Sequence, residues 1–281
     1  MDHAIDCAEG VGRKADSPVA THDTATCEIR VLDSAAELIE AYRLRYEVYG
    51  PLGYIKTPNR SRLEIDEYDA SALPFGAFDP ATGLMVGTLR LIMVDEQPDH
   101  RELVHSIVAE IGDPALTARA TGIRPHALPS IVSDEFDRQI DLFNPDDYPV
   151  HELSRAIVRP RFRGAGVSRG LMEFGIAHAA RSGPAVLAGG CIAEHLPMYA
   201  RYGYSSLPDL GLEHFDSVDQ TAHAMVLRTD ALPEPTRSHV DQMLDAMGAG
   251  AAERVLDIGH GCTALYRFTP PRRPRRHTRE W

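Results

Sequence analysis

The sequence predicts an α/β fold: a mixed, twisted central sheet flanked by helices. Three observations predict it. Residues 151–181 read as strand, glycine turn and helix: Leu153 to Val158 is apolar, interrupted by Ser154 and Arg155, Pro160 stops it, and a helical pattern runs from Val167 to about Arg181. Phe75–Phe78 and Leu84–Val94 flank Asp79-Pro-Ala-Thr-Gly83, a hairpin signature. Strand-like runs at Ala185–Gly189, Tyr204–Leu207 and Ala222–Arg228 then intersperse with helical patterns at Glu194–Tyr202 and Glu234–Met247.

Taken in order, residues 1–25 read as a flexible leader and Cys27–Leu32 as the first strand. Ser34, with Glu37 three residues on, caps a helix to about Tyr49 whose Leu38, Ile39, Tyr42, Tyr46 and Tyr49 share a face. Gly50-Pro51 ends it. Residues 50–74 form a long loop carrying Glu64, Asp66 and Asp69. Arg90 sits inside the third strand, and a buried arginine needs a carboxylate, which that loop offers. Residues 95–148 are an insertion between the third and fourth strands, able to wall or lid a pocket. Short helices are expected at His100–Ile111 and Pro114–Ala120, with a Pro-rich stretch at 122–133 and an irregular acidic one at 134–148. Residues 26–230 form the main domain, and 231–281 a C-terminal extension that adds to the sheet edge and ends in a basic tail.

The chain has 281 residues, 43% hydrophobic and 25% charged, as in soluble globular proteins. A net charge of −12 argues against a general nucleic-acid binder. No run is long and apolar enough to span a membrane, and the acidic start lacks the basic and apolar regions of a signal peptide, so a cytoplasmic protein is expected. Four cysteines form no C-x-x-C pair, and thirteen histidines form no H-x-x-x-H or H-E-x-x-H pattern, so no metal is expected. Cys191 reads as a buried strand-end residue. Arg254-Val-Leu-Asp-Ile-Gly259 imitates a methyltransferase start, but too little chain follows for its sheet.

The turn at Arg161-Phe-Arg163-Gly164-Ala165-Gly166-Val167 has anion chemistry. A helix start offers unpaired N–H groups and partial positive charge, and glycines let the backbone close on an anion. Arg159, Arg161, Arg163 and Arg169 add charge, which suits the pyrophosphate of a carrier such as coenzyme A.

Four separated blocks then carry a resemblance: Leu44-Arg45-Tyr-Glu-Val-Tyr49, Glu64-x-Asp66-x-x-Asp69, Gly87-Thr-Leu-Arg90-Leu and Glu152-x-Ser154-Arg155. In this order they resemble acyl-homoserine-lactone synthases, long-chain N-acyl amino acid synthases and exosortase-associated acyltransferases, all within the GNAT superfamily. Arg161-x-x-Gly164-x-Gly166 is similar to the GNAT pyrophosphate loop, and Tyr199-Ala-Arg-Tyr-Gly203-Tyr204 to the GNAT helix ending in a tyrosine. The chain departs from the homoserine-lactone synthases in three ways. Leu52-Gly53-Tyr54 stands where they usually carry Trp, the 95–148 insertion and the chain beyond 230 are extra, and the pyrophosphate loop is clearer. These departures favour the N-acyl amino acid and exosortase-associated branches.

The resemblance implies an acyltransferase that moves an acyl group from acyl-CoA or acyl carrier protein to a primary amine, that of an amino acid first. The alternatives are a signal synthase using S-adenosylmethionine and a non-catalytic module that holds an acyl carrier. Glu152 is the candidate base, or else a surface glutamate at the strand entrance or an ion-pair partner of Arg155. Tyr199 is the candidate acid for the leaving thiolate, or else a packed aromatic, with Tyr202 as second choice. Backbone N–H groups near Val158 would polarise the thioester carbonyl. Val158, Arg161, Arg163, Gly164, Ala165, Gly166 and Val167 are the donor-binding candidates. Arg45, Glu64, Asp66, Asp69, Arg90, Ser154 and Arg155 are the acceptor-side candidates, with Arg90 mainly structural.

Overall fold

Strand β1 (Cys27–Val31) is paired on both edges, antiparallel to β2 (Ala72–Phe78) and parallel to β10 (Cys262–Arg267). The first and last of the described strands therefore lie side by side. This computed structural model describes residues 26–55, 58–94, 100–124, 127–207, 210, 212–215 and 220–268. The leader at 1–25 and the tail from 269 lie outside them. The other strands are β3 (Met85–Met93), β4 (Val150–Val158), β5 (Val186–Cys191), β6 (Ser205–Ser206), β7 (Leu212–Phe215), β8 (Gln220–Arg228) and β9 (Glu253–Gly259). The sheet runs β6-β8-β5-β4-β3-β2-β1-β10-β9, with β7 also on β8. Among the described residues only β4–β5 and β1–β10 pair parallel.

Helices α5 (Val167–Ala179) and α7 (Glu234–Gly248) cover one face, where Leu89, Leu91, Leu153 and Leu187 join Leu171, Phe174, Val240 and Met243 in one core. Burying a side chain of this size contributes roughly 1.5–3 kcal/mol. On the other face, α1 (Ala35–Tyr49), α2 (Arg101–Ile111) and α3 (Pro114–Ala120) share a core with Met85 and Ile157. Beside it, α4 (Asp134–Phe143) packs Phe136 and Ile140 with Tyr68, Ile92 and Ala188. The insertion between β3 and β4 thus covers the second face.

Local chemistry explains the element ends. Ser34 Oγ accepts the Glu37 N–H at 3.4 Å, and Glu37 in turn accepts the Asp33 N–H. Pro at the first turn suits α3, where its missing N–H is no loss.

Several expectations need correction. The acidic stretch after residue 133 is not irregular but helix α4. Ser133 Oγ accepts the Phe136 N–H, and Asp134, Glu135 and Asp137 face the positive helix start. The single helix at 194–202 is instead a 3-10 turn at Ala193–His195 followed by α6 (Leu196–Ala200), with Pro197 in its first turn. Strands β7 and β10 were not expected. The C-terminal segment, expected at the sheet edge, is found there: β9 and β10 form a hairpin at the end of the strand order, with β10 beside β1.

Candidate active site

Strands β4 and β5 pair only at Val150–Val186, His151–Leu187 and Glu152–Ala188. Beyond that, β4 continues to Val158 and β5 to Cys191, held only on their outer edges by β3 and β8. The two inner edges part, leaving backbone donors and acceptors that demand partners. Glu152 stands at the last paired position. The expected carbonyl-polarising backbone, near Ile157 and Val158, is on the parted segment.

Glu152 is buried, and its Oε2 accepts the Ser130 N–H at 2.8 Å. Burial raises its pKa above the ordinary glutamate value, against the opposing effects of Ser130, Arg90 and Arg155. Arg155 pairs instead with Glu64 and Asp66 among the described residues. Around the opening, burial also raises the tyrosine hydroxyls. Tyr199 is raised with Tyr49 and Cys191 contributing, and Tyr204 lies well up, with Tyr199, Glu152 and Cys191 contributing. The Tyr199 and Tyr204 rings meet edge-on at 5.5 Å. Leu196, Tyr199, Tyr204 and Met225 line an apolar cavity of about 330 Å³. Tyr202 turns instead toward α5, where burial and Glu173 push its hydroxyl up to about 12. Cys191 is buried at the end of β5, and burial raises its thiol to about 11, so it is held as the inert neutral form.

The acceptor-side candidates form one buried network. Asp66 meets Arg90 through both oxygens, at 2.6 and 2.8 Å, and meets Arg155 Nη2 at 2.7 Å. Glu64 accepts Arg155 Nε at 3.1 Å and Arg45 Nη1 at 3.4 Å. Asp69 accepts Arg45 Nη1 at 2.8 Å and pairs with Arg90 Nη1 at 2.9 Å. Arg90 Nε donates to Ser154 Oγ at 3.0 Å. Burial works against both Glu64 and Asp66, but the arginines outweigh it and hold both carboxyls below the ordinary range.

A β-bulge assembles this network. Thr88 faces Ile157 and Arg90 faces Ser154, so Arg155 and Ala156 together stand opposite Leu89. Arg155 has φ of 57°. Strict alternation would send its side chain to the Leu153 face; the bulge sends it to the Arg90 face.

At the glycine turn, Gly164 and Gly166 have φ of 85° and 75°, and Gly166 precedes α5 with no side chain capping the helix. The first N–H groups of α5 are thus left to a ligand or solvent. Ala165 lies in the turn, and Val167 is buried as the first helical residue. Arg159 pairs with Glu47 at 2.8 Å and Arg169 with Glu173 at 2.8 Å. Arg163 Nε reaches the Val158 carbonyl at 3.3 Å, and Arg161 stacks on Phe162 at 4.8 Å. Neither has an ion pair among the described residues.

Sequence reasoning missed Ser130, Tyr49 and Tyr204 as site residues. Ser130 lies in the Pro-rich stretch that carried no site signal. Tyr49 was read as part of the helix's apolar face, yet its ring lies 5.8 Å from the Arg155 guanidinium and 5.5 Å from Tyr54.

This fold, with its parted strands and glycine turn, is of the GNAT type, a class of acyltransferases. Residues 44–173 match the family model described as acetyltransferase (GNAT) domain. No curated protein sequence matches. Among solved structures the chain is similar to FeeM, an N-acyl amino acid synthase from uncultured soil microbes, at 16% identity and TM-score 0.49, covering 77% of this chain and 96% of that one. It is also similar to BjaI, a CoA-dependent acyl-homoserine lactone synthase, at 15% identity and TM-score 0.46, covering 78% and 90%. A third is Escherichia coli ElaA, at 15% identity and TM-score 0.42, covering 72% and 99%. Among the described residues no helix is long and apolar enough to cross a membrane.

Proposed function

We propose that this acyltransferase moves an acyl group from acyl-CoA to the primary amine of an amino acid or similar small molecule. The observation that carries the reading is the parting of β4 from β5 just beyond Glu152. A pantetheine arm, with its own amide groups, is the right chemistry for two unpaired strand edges. The uncapped start of α5, with Arg161 and Arg163, suits the pyrophosphate that follows that arm. The same arm is carried by acyl carrier protein, and the arginines around the turn suit an acidic partner as well. Coenzyme A is the primary donor because only its pyrophosphate uses the glycine turn.

In this reading Glu152 takes a proton from the acceptor ammonium. The freed amine nitrogen attacks the thioester carbonyl carbon, forming the C–N bond as the C–S bond breaks. Backbone N–H groups of Ile157 and Val158 stabilise the oxyanion. Tyr199 gives its proton to the leaving thiolate, a task suited to a hydroxyl that burial keeps neutral, and the second proton shed by the nitrogen as the amide forms restores that hydroxyl. The acyl tail occupies the apolar cavity beside Tyr199 and Met225. The buried arginine–carboxylate network fixes the loop before β2 against β3 and β4, and Arg155, beside Tyr49, brings its charge to the acceptor side.

The test is release of free thiol from acyl-CoAs of graded length with pooled amino acids. Release that depends on the amino acid and falls about 10²–10⁴-fold in Glu152→Gln supports the reading. Release only with S-adenosylmethionine would replace it with signal synthesis. CoA binding without turnover, with acyl carrier protein donors also inert, would leave a binding module.

A further inference from the structure

Arg124, in the insertion, differs from every arginine of the buried network. Arg45, Arg90 and Arg155 each meet two carboxylates, whereas Arg124 meets none among the described residues. It is nonetheless half-buried and firmly oriented. Its Nε donates to the Glu67 carbonyl at 3.1 Å, its Nη2 donates to Ser71 Oγ, and its guanidinium lies 5.4 Å from the centre of the Tyr68 ring. Nη1 has no hydrogen bond among the described residues. The nearby charges do not neutralise it: Arg101 and Arg90 repel it, with Asp66 already held by two arginines.

Its place in the fold matters. Tyr68 packs with Ile92 and Ala188, the two residues that flank Glu152 across β3 and β5 and so share its face of the sheet. Six residues after Arg124, Ser130 donates its N–H to Glu152. An oriented, part-desolvated and uncompensated guanidinium therefore stands on the same face as the candidate base. Its Nη1–Nη2 edge is the geometry that takes a carboxylate bidentately.

We propose that Arg124 binds the carboxylate of the acceptor, so that this enzyme selects amines bearing a carboxylate over plain amines. The proposal rests on amine acylation at Glu152 and adds the residue that sets acceptor class.

The experiment compares three acceptor pairs that differ only by the carboxylate: leucine and 3-methylbutylamine, phenylalanine and phenethylamine, tyrosine and tyramine. Each is run with the full chain and with Arg124→Gln and Arg124→Lys, using the best acyl-CoA. For the preferred pair, the expected result is a wild-type preference for the amino acid. Arg124→Gln should lower kcat/KM for it by about 10- to 100-fold, mainly through KM, while acylation of the plain amine stays within a few-fold. Arg124→Lys should restore part of the loss. The unchanged amine reaction serves as the control for folding. Equal wild-type use of both members of every pair, or an equal drop for both in Arg124→Gln, would overturn the proposal and leave acyl transfer standing. Absence of acylation with all six acceptors would overturn the Glu152 reading and this proposal with it.

Discussion

Arg90 and Asp66 face each other as a two-pronged pair, Nη1 to Oδ1 at 2.6 Å and Nη2 to Oδ2 at 2.8 Å, with both side chains out of contact with water. Removing one partner of such a pair strands a buried charge. Asp66→Asn is expected to destabilise the fold by about 3–5 kcal/mol in urea unfolding at pH 7, because Arg90 and Arg155 each lose one of their two carboxylates and the buried network is left with excess positive charge. The native Asp66 pKa lies below its unfolded value. Its contribution is therefore complete above the unfolded value, about 3.9, and is lost as pH falls through the lower native one. An Asp66→Asn protein as stable as the parent at pH 7 would show that the network does not hold the loop.

Glu152 has the opposite linkage. Its native pKa is raised, so ionising it costs stability as pH rises above the unfolded value of about 4.3. Glu152→Gln keeps an oxygen for the Ser130 N–H and removes the charge. Thermal unfolding at pH 7 should give a Tm equal to or above the parent's, while activity is lost. In the parent, the acid limb of kcat/KM should lie above the ordinary glutamate range. A variant that loses activity together with its fold would assign Glu152 a structural task.

The glycine turn allows a paired comparison. A Cβ on Gly166 would lie 2.7 Å from the Ile258 carbonyl oxygen in β9, whereas one on Gly164 would meet nothing within 4 Å. Both residues have left-handed φ, which costs an alanine roughly 1–2 kcal/mol. Gly164→Ala should show that cost and little more in chemical denaturation. Gly166→Ala must also push back the C-terminal hairpin, and should lose more stability and weaken CoA binding. Equal losses would mean that the hairpin yields freely.

The His178 ring packs against Phe75 and Phe174 at 5.1 and 4.6 Å, and its Nε2 is buried without a hydrogen-bond partner among the described residues. Burial, with help from Arg181, lowers its pKa to about 3. The unfolded chain then binds more protons than the native one between about pH 6.5 and 3, so this residue makes stability fall with pH across that window. His178→Phe should flatten the slope between pH 7.5 and 5 by on the order of 1 kcal/mol, read from urea midpoints. An unchanged slope would contradict a buried neutral imidazole.

How far these features could be read from the sequence depended on how local their causes are. Arg90 within an apolar strand announced its own burial, and the acidic loop announced its partners. The strand–turn–helix at 151–181 follows from hydrophobic period and glycine placement alone. The bulge at Arg155 was seen only as two polar residues interrupting a strand, because re-aiming a side chain depends on register with β3. Ser130 reaches the site through tertiary packing of a segment with no chemical signature, and Tyr204, though inside the quoted Tyr199–Tyr204 block, was given no role of its own. Pairing of β1 with β10 joins opposite ends of the chain, which no local pattern encodes. Helix α4 was legible, since Ser133 and the acids after it are a helix start; they were read only as an acidic stretch of a less regular region.

The central claim is that the opening between β4 and β5 performs acyl transfer from a thioester to an amine at Glu152. The direct measurement is stoichiometry: free thiol released from acyl-CoA against N-acyl amino acid formed, detected by mass, for the parent and Glu152→Gln. The account predicts one thiol per amide in the parent and loss of both products together in a folded variant. Thiol release without amide, or amide formation undiminished in Glu152→Gln, would contradict it.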